Sequence, residues 1–190
     1  MKKRLLHRPP NQSFNQPLTK PSNHPPVCVI LDDIRSGHNV GSIFRTADAL
    51  GVGKIYLAGY TPSPEDKFGR INKEIAKVAL GAEKAVSWKM IKNVSALIKK
   101  LKTKKYKIVA VEQHARAKDY KNFKFGESGF AGCQFADCRA AFIFGNEVCG
   151  LSEKILSVCD EIVQIPMRGK KESLNVSVAF GIALSRILNL

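Results

Sequence analysis

Three short runs in this chain are apolar at nearly every position: Val27-Cys28-Val29-Ile30-Leu31, Tyr106 to Val111, and Ala140-Ala141-Phe142-Ile143-Phe144. A strand with one wet face alternates apolar and polar residues. A strand without that alternation has to be covered on both faces. The runs therefore demand a sheet sandwiched between helices. Patterns with a helical period lie between them. Val40, Ile43, Phe44 and Ala47 form one stripe of a helix from about Asn39 to Leu50, with Gly51 past its end. Further helices are expected over Ile71–Leu80, Met90–Lys102, Leu151–Val158 and Val176 to the end, and further strands over Lys54–Ala58 and Glu161–Ile165. Strands alternating with helices give an α/β fold with a mostly parallel sheet and helices on both faces. Residues 115–139 have weak periodicity and three glycines, Gly126, Gly129 and Gly132, and predict no clear element.

Residues 1–26 cannot join that core. They hold six of the nine prolines, five Lys or Arg and no acid, and read as a flexible basic arm. It is either a plain tail or a tether for RNA or DNA. Residues 27–190 form one domain. The whole chain has 31 Lys and Arg against 16 Asp and Glu, a formal net charge of +15. Such an excess calls for a polyanionic partner or an anionic surface. A membrane partner fits less well, because no apolar run approaches the roughly 18 residues that a span needs. The opening MKKRLLHRPP has only two leucines before His7, so it is no signal peptide. Five cysteines, an odd number partly set in apolar runs, indicate free buried thiols in a reducing, cytoplasmic setting. Between Lys84 and Val111 stand nine lysines and no carboxylate, with Lys92, Lys99, Lys100 and Lys102 on the wet face of a helix. The missing counter-charges suit phosphate contact.

Polar chemistry gathers at three strand ends, where open α/β sheets bind their ligands. The first is Asp32 to Arg45, leading into a helix that Asn39 suits as N-cap. Gly41 and Arg45 are four apart and share a face, so bare backbone lies one turn before a guanidinium and leaves room for a phosphate or ribose. The second is Phe142 to Ser152, in which Gly145 lets a flat ligand lie against the backbone and Glu147 binds a cation or holds a loop. The third is Ile165 to Asn175, a basic loop reaching a helix entrance that offers Ser173 and Asn175, with Glu172 or Ser173 as the cap. Other motifs fail. Gly51-Val52-Gly53-Lys54 has Asp48 where a phosphate loop needs its first glycine and Ile55 where it needs Ser or Thr. Cys133, Cys138 and His114 lack zinc spacing, so no metal is expected. No Gly-x-Ser-x-Gly elbow occurs. Trp88, the single tryptophan, is read as packing.

In this order the three stretches resemble the SpoU (TrmH) family of RNA ribose 2′-O-methyltransferases, within the SPOUT superfamily. The likeness spans residues 27–190 and rests on NVGSIFRTADALG at 39–51, FIFGNEVCGLS at 142–152 and IPMRGKKESLNVSVAFGIAL at 165–184. The resemblance implies a C-terminal trefoil knot, S-adenosyl-L-methionine as methyl donor, and a homodimer with the site near the subunit interface. It also implies an RNA substrate, tRNA or rRNA. By position, Asn39, Arg45, Glu147, Ser173 and Asn175 match the family's active-site residues, and Gly145, Ile165, Met167 and Leu174 match positions enclosing the cofactor. The family's proposed base is the arginine at Arg45. Arginine normally stays protonated, so gripping phosphate and stabilising a developing alkoxide is the less costly role, with Ser173 or a water passing the proton. The competing expectation is a non-catalytic RNA-binding module on the same scaffold.

Overall fold

The structure is a computed structural model that describes residues 27–124 and 139–189. The arm at 1–26, Cys133, Cys138 and the glycine-bearing part of the 115–139 stretch lie outside the described residues.

Seven strands form one sheet: β1 Val27–Asp32, β2 Lys54–Ala58, β3 Ser87–Ile91, β4 Tyr106–Val111, β5 Lys118–Asp119, β6 Arg139–Phe144 and β7 Glu161–Gln164. Their order is β3-β2-β1-β6-β4-β7-β5, and every pairing is parallel. The helices are α1 Gly37–Ala49, α2 Lys73–Ala79, α3 Ala82–Ala85, α4 Val94–Thr103, α5 Glu153–Leu156 and α6 Val176–Ile187. The apolar runs occupy the centre, as their composition demands. Alternate residues of each run point into two separate cores. Val29, Leu31, Phe142 and Phe144 meet α1 and α6 on one face. Ile30, Ala141, Ile143 and Ile108 meet α4 and α5 on the other. At roughly 1.5–3 kcal/mol for each fully buried side chain of this size, the two cores are the main force holding the layers together. Trp88 packs at the edge of the first core.

Several boundaries differ from the sequence reading for identifiable reasons. Met90 and Ile91 belong to β3, paired with Leu57 and Ala58 of β2, and not to the following helix. That helix starts only after Asn93, whose side chain accepts from the Ala96 N–H and caps it. Helix α1 starts two residues before Asn39 because Ser36 is the cap, accepting from the Asn39 N–H at 3.3 Å. Gly41 does not leave room for a ligand. A Cβ there would lie 2.7 Å from the Ile75 carbonyl oxygen, so the glycine lets α2 pack against α1.

Cys28 is buried, and burial pushes its thiol up to about 12, with Lys54 pulling slightly the other way. Cys159 is half-buried and its thiol is pushed up to about 11, by burial first and Asp160 second. Cys149 is exposed. Among the described residues no helix is long and apolar enough to cross a membrane, and no group of three or more His, Cys, Asp or Glu could hold a metal ion.

Candidate active site

Beyond the carboxyl ends of β4, β6 and β7, the loops surround a cleft lined by Glu112, Gly145, Glu147, Ile165, Ser173 and Leu174, among others. Its floor is Phe144 and Val176. The second and third polar stretches line the cleft, and the first is bonded to them from beside it, through Glu147 and Asn175.

A chain of hydrogen bonds joins them. Glu147, in the loop after β6, accepts from the Arg35 N–H at 3.0 Å, the Ser36 N–H at 3.4 Å and the Asn39 side-chain amide at 2.9 Å. Burial alone would raise the Glu147 carboxyl. The N–H of Arg35 and the Asn39 amide outweigh it, so the group is held below the ordinary carboxylate range. The Asn39 oxygen accepts from the Asn175 amide at 3.0 Å. The Asn175 oxygen accepts from both the N–H and the hydroxyl of Ser177, at 2.9 and 2.7 Å, and so caps α6. Asn175, not Glu172 or Ser173, is the cap. That leaves the Ser173 hydroxyl at the cleft without a capping duty.

Gly145 lines the cleft, but its missing side chain serves the loop and not a ligand. A Cβ would come within 2.7 Å of the Gly150 carbonyl carbon and the Leu151 nitrogen, where the loop folds back. Buried Asn146 fastens that loop. Its amide donates to the Asp33 carbonyl at 2.9 Å and the Tyr60 hydroxyl at 2.7 Å, and its oxygen accepts from Val148 N–H and Cys149 N–H. Met167 is half-buried in the stretch after β7 and is not among the cleft-lining residues. Arg45 stands apart. It is exposed on α1, six residues beyond Asn39, and does not line this cleft.

Sequence reasoning missed a fourth strand end. Directly after β4, the Glu112 carboxylate accepts from the Leu151 N–H at 2.9 Å, and the Gln113 amide donates to the Ile165 carbonyl at 2.7 Å. These two side chains fix the β6 and β7 loops to each other across the cleft. The signal was present, because Glu112-Gln113 follow the apolar run Ile108-Val109-Ala110-Val111 as directly as Asp32-Asp33 follow theirs. Asp32 itself is unusual: burial, with the Asp33 charge second, pushes its carboxyl up to about 6.

Chemically, the cleft pairs apolar walls (Val111, Phe144, Ile165 and Leu174) with two carboxylates and the backbone groups of three loops. This lining suits a molecule with a flat aromatic base, sugar hydroxyls and a positive centre. The donor set of S-adenosylmethionine has those parts, so the residues fit it.

The comparisons agree with the geometry. The SpoU rRNA Methylase family model matches residues 26–185. The chain is 35% identical over 163 residues to the 23S rRNA (guanosine-2'-O-)-methyltransferase of Neisseria meningitidis serogroup B, covering 86% of this chain and 58% of that protein. It is 32% identical over 159 residues to the Escherichia coli K12 enzyme of the same name, covering 84% and 58%. The chain thus spans a little over half the length of these curated relatives. Among solved structures it is similar to an AdoMet-bound rRNA methyltransferase from Sinorhizobium meliloti, with TM-score 0.71, 26% identity, and coverage of 85% of this chain and 55% of that one. It is also similar to the A. aeolicus TrmH/SpoU tRNA modifying enzyme, with TM-score 0.70, 28% identity, and coverage of 86% and 74%. The family match over 26–185, set on a parallel sheet whose loops bring two of the matching stretches to one cleft and hydrogen-bond the third to them, shows that this chain belongs to the SpoU rRNA methylase family.

Proposed function

We propose that this chain transfers a methyl group from S-adenosylmethionine to a ribose 2′-hydroxyl in structured RNA, tRNA or rRNA, working as a cytoplasmic homodimer. The observation that carries this reading is the continuous hydrogen-bonded chain Arg35–Glu147–Asn39–Asn175–Ser177 beside the cleft. It ties the 32–45 stretch to the two stretches that line the cleft. Relatives named as rRNA 2′-O-methyltransferases and an AdoMet-bound structural neighbour support it.

When bound, the donor supplies an electrophilic methyl group on a sulfonium. The rest falls to the chain's own residues. Ile165, Leu174 and Gly145, which line the cleft, would enclose the cofactor. Glu147, ionised at neutral pH, holds the Asn39 amide in place, and Asn39 fixes Asn175 in turn. This preorganisation supplies part of the roughly 7–11 kcal/mol that positioning contributes to such reactions. Ser173 passes the 2′-hydroxyl proton, directly or through water, to bulk solvent. Arg45 grips phosphate and stabilises the developing alkoxide.

Arg45 lies outside its own cleft, which supports a site completed by a second copy. Val178 and Ile182 are exposed apolar residues four apart on one face of α6, and α6 packs against α1, which carries Arg45. The knot belongs to the same reading. β7 enters the sheet between β4 and β5, already joined by residues 112–117, and that segment bonds over the end of β7 through the Glu112 N–H and Gln113. The chain then continues into α6.

Calorimetric titration with S-adenosylmethionine, then transfer of labelled methyl into RNA from cells lacking the protein, tests the proposal. Saturable donor binding and labelled RNA are expected. RNA binding without donor binding would leave the non-catalytic module instead.

A further inference from the structure

We propose that the loop from Gly59 to Asn72 is a stacking platform for an unpaired RNA base, with Phe68 as its surface. The proposal rests on the reading of the chain as an RNA enzyme and adds how the substrate is held beside the cleft.

This loop leaves the carboxyl end of β2, on the same edge of the sheet as the cleft. Its base is fixed firmly. Thr61, 1% exposed, donates its hydroxyl to the Leu31 carbonyl at 3.1 Å and accepts from the Ile34 N–H at 3.0 Å. The Tyr60 N–H donates to Asp33 Oδ1 at 3.1 Å. The Tyr60 hydroxyl accepts from Asn146, which lines the cleft. At the far end, Glu74 pairs with His38 of α1 at 2.8 Å.

The tip is ordered as well. Asp66 Oδ1 accepts from the Phe68 N–H at 2.8 Å and the Arg70 N–H at 2.9 Å, and Asp66 Oδ2 accepts from Arg70 Nε at 2.6 Å. Glu65 and Ile71 form an antiparallel bridge across the turn. All this order holds an apolar ring in water: Phe68 is 69% exposed, and Tyr60 nearer the cleft is 61% exposed. Lys67 Nζ lies 5.0 Å and Arg70 Cζ 5.2 Å from the Phe68 ring centroid. An exposed aromatic flanked by cations matches a polymer whose units pair a flat face with a negative charge. Unpaired bases stack on such rings whatever their sequence, and the backbone phosphates meet the cations. The net charge of +15 fits the same partner. A duplex offers no free base face, so the platform selects loops and bulges.

The test compares binding of a fluorescein-labelled decanucleotide of oligo(A) and of a perfect RNA duplex by full-length protein. Phe68→Ala is expected to weaken oligo(A) binding about ten-fold or more, leaving duplex binding, donor affinity and thermal stability unchanged. Phe68→Tyr should retain the affinity. Phe68→Trp in a Trp88→Phe background should show fluorescence quenched by oligo(A). Unchanged oligo(A) affinity in Phe68→Ala would overturn the proposal and leave the ring to a protein contact. Equal loss for oligo(A) and duplex would overturn it too, because only charge would then be acting. Failure of methyl transfer with stacking intact would instead count against the catalytic reading.

Discussion

Two carboxylates near the cleft respond to pH in opposite senses. Glu147 is held low because the N–H of Arg35 and Ser36 and the Asn39 amide outweigh its burial. A depressed acid contributes stability that is present above its unfolded value and is lost as pH falls through the folded one. Asp32 is raised to about 6 by burial and then by Asp33, so its ionisation in the native state opposes folding as pH climbs from near 4 to above 6. Asp32→Asn should therefore raise the urea midpoint at pH 8, and the gain should vanish near pH 4. A gain that is equal at both pH values would contradict that assignment. Glu147→Gln turns one acceptor into a donor facing three other donors. Turnover should drop on the order of 100-fold with donor affinity retained, since a misplacement of about 1 Å costs that much. Single-turnover kinetics alongside calorimetry separates the two. At this scale the candidate residues were largely legible, because Asn39, Glu147, Ser173 and Asn175 sit at strand ends and helix entrances. Their partners were not. Ser36 and Asn39 are both good caps by chemistry, and only the start of α1 at Gly37 shows that Ser36 caps while Asn39 is free to bind Glu147.

The elements show how one residue can serve packing where a ligand was expected. Gly41 looked like space for phosphate, yet it lies against the Ile75 carbonyl of α2. In an open helix, Gly→Ala gains about 1 kcal/mol. Here the added methyl has to displace backbone, so Gly41→Ala should cost about 1–3 kcal/mol. Chemical denaturation decides between the two signs. β3 was missed for a related reason. Met90 and Ile91 fit the apolar stripe of α4 by period alone, and only the β2 edge and the Asn93 cap assign them to a strand. Short apolar segments carry no mark that separates the two periods. The lysine-rich stretch also looked barer than it is. Lys102 pairs with Asp160 at 2.6 Å and Lys107 with Glu161 at 3.5 Å, carboxylates from a distant part of the chain.

For the whole molecule, the α/β class followed from the doubly buried strand runs, and the layering could hardly have been otherwise. The strand order did not follow from them. β6 inserts between β1 and β4, and β7 between β4 and β5, and a run apolar on both faces is compatible with any neighbour. Completion of the site by a second copy makes its own prediction. Arg45→Ala and Ser173→Ala should each be inactive, while co-expression should restore about a quarter of wild-type activity, because half the dimers are mixed and each carries one intact site. No recovery would place both residues in one copy's site. The central claim is that the converging loops direct a methyl group onto a sugar oxygen. It is tested most directly by labelling RNA with methyl-tritiated S-adenosylmethionine and digesting it with alkali. Methylated 2′-oxygens block cleavage of the adjacent phosphodiester, so the label should appear in alkali-stable dinucleotides. Label recovered in mononucleotides, as for a methylated base, would contradict the account.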